Sequence, residues 1–324
     1  MLVELLRGRR LTTALGAGTA LALAGAAGTA RLRPGHARTA LALGAATLGG
    51  LTGIGWWAHL VEPRLVETSF TRLPWDGPPL RLVLLSDLHV RAGDGPRIER
   101  IVRRTLALAP DVVLFAGDAI DDLDLTADKL AALAPLVGLR GRPPLGLYGV
   151  LGNHDAEPSD GDAAAPVSSE KKARIRARLE AAGFRILENE RVTLRGGVTL
   201  IGLGDWRTHG TDARPAFDGA DPRRPTIVLA HAARSLEMPG VGRFSIALAG
   251  HTHGGQGCIP FTGICPFLAD DMKPYRAGLY DWPGGGRLYV GRGIGTSDVR
   301  ARLGARPELP VIDLYRADPT GRTS

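Results

Sequence analysis

The sequence predicts a layered α/β domain behind an apolar N-terminal segment, and three observations carry this. From Leu80 onward, short β-rich apolar runs alternate with stretches of helical spacing. After Arg185 the β-rich runs crowd together. Ahead of both lie two long apolar stretches. Strand–helix alternation that passes into strand-rich sequence is the pattern of sheets covered by helices.

The N-terminal stretches come first. Leu11–Ala30 runs 20 residues without a charge, and Thr39–Val61 runs 23, interrupted only by His59. At 1.5 Å per residue each reaches across a hydrocarbon core of about 30 Å. Between them lies RLRPGHAR, with Arg31, Arg33, Arg38 and the turn former Pro34. Trp56 and Trp57 sit near the end of the second stretch, where an aromatic belt belongs. The simplest expectation is a transmembrane hairpin over residues 1–65, with apolar helices at about 11–30 and 39–61, followed by one domain over 66–324. Arg9-Arg10 ahead of an apolar run also fits a loose twin-arginine export signal. Arginines on both sides of the first stretch leave the orientation open.

The body follows in order. Strands are expected at Arg81–Ser86, Val112–Ala116 and Leu147–Leu151, with helices at Pro96–Leu108 and Thr126–Val137 between them. Glu157–Pro166 reads as a polar loop. Ser168–Ala182 reads as a charged surface helix opened by a Ser cap. Strands are then expected at Arg185–Leu187, Val192–Leu194, Val198–Ile201, Ile227–Ala230, Ser245–Ala249, Arg287–Val290 and Pro310–Leu314.

The formal charge of +7 is unevenly placed: residues 1–64 hold seven Arg and two Glu, while the other 260 hold 33 basic and 31 acidic side chains. The basic excess therefore flanks the apolar stretches, and the near-neutral body argues against a nucleic-acid partner. Two cysteines, Cys258 and Cys265, are too few for a disulfide framework or a thiolate zinc site. They make either one small-loop disulfide in an oxidising compartment or two idle thiols.

Five short motifs carry the chemistry, each after an apolar run. In Asp87-Leu88-His89, residues two apart share a face and can point at one ion. Gly117-Asp118-Ala119-Ile120-Asp121 presents Asp118 at a strand's C-terminal end, where open α/β sheets bind ligands. Gly152-Asn153-His154-Asp155 offers a neutral oxygen beside a histidine. His231 ends the run Thr226–Ala230. Gly250-His251-Thr252-His253 again sets two histidines two apart. Singly, an Asp-x-His is usually a surface pair, Gly-Asp a turn or cap, and a strand-end histidine a hydrogen-bonded structural group. Together they mean more, because five of the chain's eight histidines stand at predicted strand ends. Such ends converge on one edge of a sheet. The donor set of oxygen and nitrogen without thiolate suits Mn²⁺, Fe or Zn²⁺. Seven candidate ligands exceed the need of one tetrahedral ion and fit two ions about 3.5–4 Å apart with a bridging carboxylate.

These five motifs, in this order, resemble the signature blocks of the calcineurin-like metallophosphoesterase superfamily, over about Leu80 to Leu314. Gly293–Leu309 (GIGTSDVRARLGARPEL) resembles that superfamily's membrane-anchored bacterial branch. Cys258–Asp271 departs from the familiar pattern, at a place that bears on the substrate mouth. The resemblance implies a four-layer α/β/β/α sandwich at a bacterial inner membrane. It implies that Asp87, His89 and His253 hold a first divalent ion, that Asn153, His231 and His251 hold a second, and that Asp118 bridges. His154 would be no ligand and would face the scissile phosphate, with Asp121 and Asp155 behind the ligands orienting histidines. The implied reaction is metal-dependent hydrolysis of a phosphodiester or pyrophosphate bond, with Mn²⁺ favoured. The implied substrate is a phosphorylated small molecule or a lipid-linked one such as UDP-diacylglucosamine. A nuclease or nucleotide phosphodiesterase on the same fold, and a silent scaffold, are the alternatives. The near-neutral body argues against the first, and the full ligand set with His154 against the last.

Overall fold

The computed structural model describes residues 36–120, 125–156, 168–208, 212–259, 262–266 and 268–316. The expected apolar helix at 11–30 and the residue Asp121 lie outside them. The second apolar stretch forms helix α1, His36–Trp56, which continues as a wider turn over Trp57–Val61 and a tight one over Glu62–Arg64. Its 24-residue apolar portion Leu41–Arg64 is long and apolar enough to cross a membrane. Leu43, Leu51 and Ile54 are exposed on it among the described residues.

Among the described residues twelve strands follow: β1 Glu67–Trp75, β2 Leu80–Leu85, β3 Val112–Ala116, β4 Leu147–Val150, β5 Phe184–Ile186, β6 Glu190–Thr193, β7 Thr199–Gly202, β8 Thr226–Leu229, β9 Ile246–Ala249, β10 Gly278–Asp281, β11 Arg287–Val290 and β12 Glu308–Arg316. They form two six-stranded sheets, in the orders β1-β12-β2-β3-β4-β5 and β10-β11-β9-β8-β7-β6. The strands β2, β3 and β4 run parallel, as do β7, β8 and β9, so within each set the C-terminal ends lie on one edge.

Pleating sorts the side chains into layers. Leu82, Leu84, Val112 and Leu114 meet Leu200, Ile227, Leu229 and Leu248 in a core between the sheets. The alternate residues Val83, Leu85, Val113 and Phe115 face outward and pack on helices α2 Gly95–Ala107, α3 Ala127–Ala132 and α4 Ser169–Ala181. On the far side Val228, Ala247 and Val290 are covered by short turns bearing Ala213, Ala216 and Leu236, including the four-residue helix α5 Arg214–Phe217. The four-layer arrangement holds, with a thin fourth layer.

Most expected strands and helices stand within two residues of their predicted bounds, and Ser168 caps α4 by accepting from the Lys171 N–H. Two expectations are corrected. The helix expected over Thr126–Val137 breaks after α3 and resumes as a tighter turn at Ala134–Leu139, with Pro135 in its first positions. A proline inside the helix would delete one hydrogen bond and clash with the carbonyl four residues back. Strand β1 also stands where no strand is expected from the sequence, because its polar run ETSFTRLPW gives little apolar signal. It pairs only with β12, as the sheet's edge, a position that tolerates Pro74.

Candidate metal centre

Each motif lies just beyond the C-terminal end of a central strand: Asp87 and His89 after β2, Asp118 after β3, Asn153 and His154 after β4, His231 after β8, and His251 and His253 after β9. Backbone bonds stitch these ends together, from Asp87 N to Gly117 O at 2.9 Å and from Gly250 N to His231 O at 2.9 Å. The two halves of the site, one per sheet, are joined by other bonds: His251 N donates to Asp87 Oδ1 at 3.0 Å, and His231 Nδ1 lies 2.7 Å from Ala116 O.

The donors gather in two buried groups. Asp87, His89 and His253 form one, and Asp118, His231 and His251 the other, with the ligand-type atoms of each within 4.8 Å of one another. His89 Nε2 lies 3.0 Å from His253 Nε2, and His231 Nε2 lies 3.0 Å from His251 Nδ1. Asn153 Oδ1 adds a neutral oxygen 3.1 Å from His231 Nε2. Asp118 stands between the groups, its Oδ2 3.4 Å from His89 Nε2 and 3.3 Å from His231 Nε2. Imidazole nitrogens converging in pairs around carboxylate oxygens, all out of water, fit a pair of divalent cations. The oxygen and nitrogen donor types suit borderline metals. All seven expected ligands are thus brought together, while Asp121 lies outside the described residues.

Backbone strain marks the same residues. Asp87, His89, Asp118, His251 and His253 all have positive φ, between 40° and 73°. That conformation is uncommon outside glycine and costs on the order of 1–3 kcal/mol per residue. Its concentration here is a functional-site feature that the fold's packing sustains. Two glycines make room: a Cβ on Gly152 would lie 2.2 Å from Asp118 Oδ1, and one on Gly250 2.5 Å from Asp87 Oδ2.

Asp155 behaves differently from the expectation that it orients a histidine. Its carboxylate accepts the backbone N–H groups of Gly152, Asp118 and Ala119 at 2.8–3.0 Å. It thus binds the β3 and β4 end loops together and sets the position of Asp118. Burial, then the nearby Asp118 charge, pushes its carboxyl up to about 6.

Electrostatics favour ligating forms at several positions. Burial lowers His251 and His253 well below the usual histidine range, helped by the charge of His231 on the first and of Arg302 on the second. Burial opposes ionisation of Asp118. The charges of His231 and His154, with hydrogen bonds from His231 and His89, outweigh it and hold that carboxyl well below its usual range.

His154 sits at the rim, half-buried, with its ring 5.1 Å from the His89 ring. Its backbone N–H donates to Asp118 Oδ1 at 3.0 Å, and its Nε2 lies 3.3 Å from Ser297 Oγ. Three supporting residues had no role in the sequence reading. Ser297 is one. Asp205, fully buried just after β7, adds negative charge beside His231. Arg302, also fully buried, donates to His253 O at 2.8 Å and lies 3.1 Å from His253 Nδ1. Ser297 and Arg302 fall inside the Gly293–Leu309 segment whose resemblance was legible. Asp205 carried no signal.

The sequence model of the calcineurin-like phosphoesterase family matches residues 80–255, the stretch that supplies all seven donors. The chain belongs to this family. It is 32% identical to a bovine (Bos taurus) "transmembrane protein with metallophosphoesterase domain", over 86% of this chain and 63% of that one. The chain therefore spans less than two thirds of that relative's length. It is 30% identical to phosphodiesterase YaeI of Escherichia coli, over 83% of this chain and 96% of YaeI. It is 27% identical to UDP-2,3-diacylglucosamine pyrophosphatase LpxG of Chlamydia muridarum, over 79% of this chain and 91% of LpxG.

Proposed function

We propose that this protein is a metal-dependent phosphoric ester hydrolase that cleaves a phosphodiester or pyrophosphate bond in a lipid-linked substrate at a cell membrane. The observation that carries the reading is the pair of buried ligand groups with the Asp118 carboxylate between them. In this reading Asp87, His89 and His253 would hold one divalent cation and Asn153, His231 and His251 the other, with the Asp118 carboxylate placed to serve both. Mn²⁺ is the first choice, with Zn²⁺ or Fe as alternatives. When bound, the cations supply an activated water at neutral pH and offset charge on phosphate oxygens.

The chain's own residues do the rest. His154 stands at the open side of the site, where its ring can donate to a phosphate oxygen or protonate the leaving oxygen. Ser297 Oγ and the backbone bond to Asp118 set its position. Arg302 fixes the His253 loop through the carbonyls of His253, Arg292 and Gly293. The buried strand ends exclude water from the ligand side.

The lipid-linked substrate is supported by α1 and by the relatives, of which LpxG is named for a diacylated sugar nucleotide. The test uses full-length chain in mixed micelles with Mn²⁺. It compares UDP-2,3-diacylglucosamine, an aryl phosphodiester and an aryl phosphomonoester. Expected is a kcat/KM at least ~10-fold higher for the first two than for the monoester, a difference of about 1.4 kcal/mol. A monoester preference would overturn the bond assignment. Cys258 and Cys265 are joined in a disulfide, which favours an oxidising compartment and hence a catalytic domain on the extracytoplasmic side. Protease added outside sealed cells is expected to digest the domain, and protection of the domain would reverse that assignment.

A further inference from the structure

Outside the metal centre, the loop closed by Cys258 and Cys265 presents two exposed aliphatic side chains. The bond joins residues seven apart. Within it Ile259 N donates to Ile264 O at 2.8 Å, so the two isoleucines sit across from each other at the neck. Both are largely exposed, at 48% and 56%. The neck is held from behind: Arg276 Nη1 lies 2.7 Å from Cys265 Sγ, and a Cβ on Gly255 would meet both sulfurs within 3 Å. A covalently closed loop that presents two aliphatic side chains to the outside offers a contact for an apolar or amphipathic partner.

Its position identifies that partner. Gly257 bridges Leu303, and Cys258 N donates to Leu303 O at 2.8 Å. One residue earlier, Arg302 N donates to Ala58 O at 2.8 Å, at the base of the apolar helix. With ladder spacings of about 4.8 Å, the loop's neck lies roughly 10 Å from that base. Glu62 Oε1, just past it, accepts from Ala305 N at 2.9 Å. Arg64, Arg91 and Arg300 all act electrostatically on His59 in this region, and Arg64 and Arg300 are exposed. Arg91 is held by Thr296, to Oγ1 at 3.2 Å and to O at 3.0 Å. Apolar helix end, arginine collar and aliphatic loop thus lie together, the combination that suits an anionic lipid surface.

We propose that the Cys258–Cys265 loop and the Arg64, Arg91 and Arg300 collar rest on the surface of an anionic phospholipid bilayer beside the helix that enters it, with Ile259 and Ile264 dipping among the acyl chains. This rests on the reading of α1 as a membrane anchor. The same short segment that holds the loop also reaches the metal centre, through Ser297 at His154 and Arg302 at His253. The site therefore opens near the lipid headgroups and takes a membrane-resident ester without releasing it to water.

The test incorporates full-length chain into nanodiscs of phosphatidylcholine and phosphatidylglycerol. A nitroxide is placed at position 264 through a ketone-bearing residue, which leaves both cysteines intact, or at Arg223, in the turn leading into β8 at the opposite edge of the sheet. Depth is read from the relative accessibility to oxygen and to a water-soluble nickel chelate. The proposal expects oxygen to dominate at 264 and the nickel chelate to dominate at 223. Nickel access at 264 equal to that at 223, in chain that does enter the nanodisc, would overturn the proposal and leave the anchor standing. Chain that fails to enter the nanodisc would remove the anchor reading and this proposal with it. Hydrolysis plays no part in the readout, so the outcome is separate from the proposed activity. As a second arm, the Ile259→Glu/Ile264→Glu chain is expected to lower turnover of a bilayer-embedded substrate by about tenfold while a soluble ester is turned over as before. Equal loss on both substrates, or on neither, would count against the lipid contact.

Discussion

An Asp118→Asn chain is expected to keep its fold, lose at least one of two bound cations, and fall in turnover by on the order of 10³-fold. Asp118 Oδ1 accepts the His154 N–H, while Oδ2 points between His89 and His231. An amide has one oxygen to offer. If it keeps the bond to His154, an NH₂ group faces the cations and repels them. If it turns toward the cations, the NH₂ group meets the His154 N–H and the rim histidine is displaced. Both orientations remove a negative charge from a site where histidines supply most of the donors. Elemental analysis of the purified variant, with turnover on an aryl phosphodiester, checks this. Wild-type metal content together with wild-type turnover would remove Asp118 from the bridging position.

His154→Ala is expected to do the opposite to metal and a similar thing to rate: metal content unchanged, turnover down ~10²–10⁴-fold. His154 belongs to neither ligand group. It stands half-buried at the rim beside His89 and is held by Ser297. Losing its ring therefore leaves both groups of donors in place and removes a proton donor at the open side. The fall should appear in kcat more than in KM, since the group acts in the transition state. Loss of metal in this variant would make His154 a ligand, and retained turnover would make it a bystander.

Much of this site was legible because its chemistry is local in sequence. Each donor follows an apolar run that becomes a strand, and parallel strands put their C-terminal ends on one edge. The two-apart spacing of Asp87 and His89, and of His251 and His253, carries weight because five such motifs stand at strand ends together. The fold was legible for the same reason: β3, β8 and β9 are short fully buried runs and β2 is buried but for Arg81, so they read as strands from composition.

What escaped the sequence depends on contacts made far along the chain. Arg302 meets a histidine 49 residues away, and its neighbours Arg300 and Arg306 give no hint that it alone is fully buried. β1 is an edge strand whose polar residues alternate with half-buried ones, so its register is set by β12 rather than by its own pattern. Asp205 follows a strand as Asp118 does, yet it carries no second metal-type residue beside it and so reads as a turn. The role of Asp155 was half legible: its place in the motif marked it as a supporting residue. That it clamps backbone N–H groups instead of a histidine required the β3 and β4 loops to be seen side by side.

The most direct test of the dinuclear account is the metal content of the full-length purified chain, measured by elemental analysis after loading with Mn²⁺ and removal of free ions. A chelator titration is then followed by turnover of the aryl phosphodiester. The account predicts two cations per chain, with turnover lost on their removal and restored on Mn²⁺ addition. One cation or none in a folded chain, or turnover indifferent to the chelator, would contradict it.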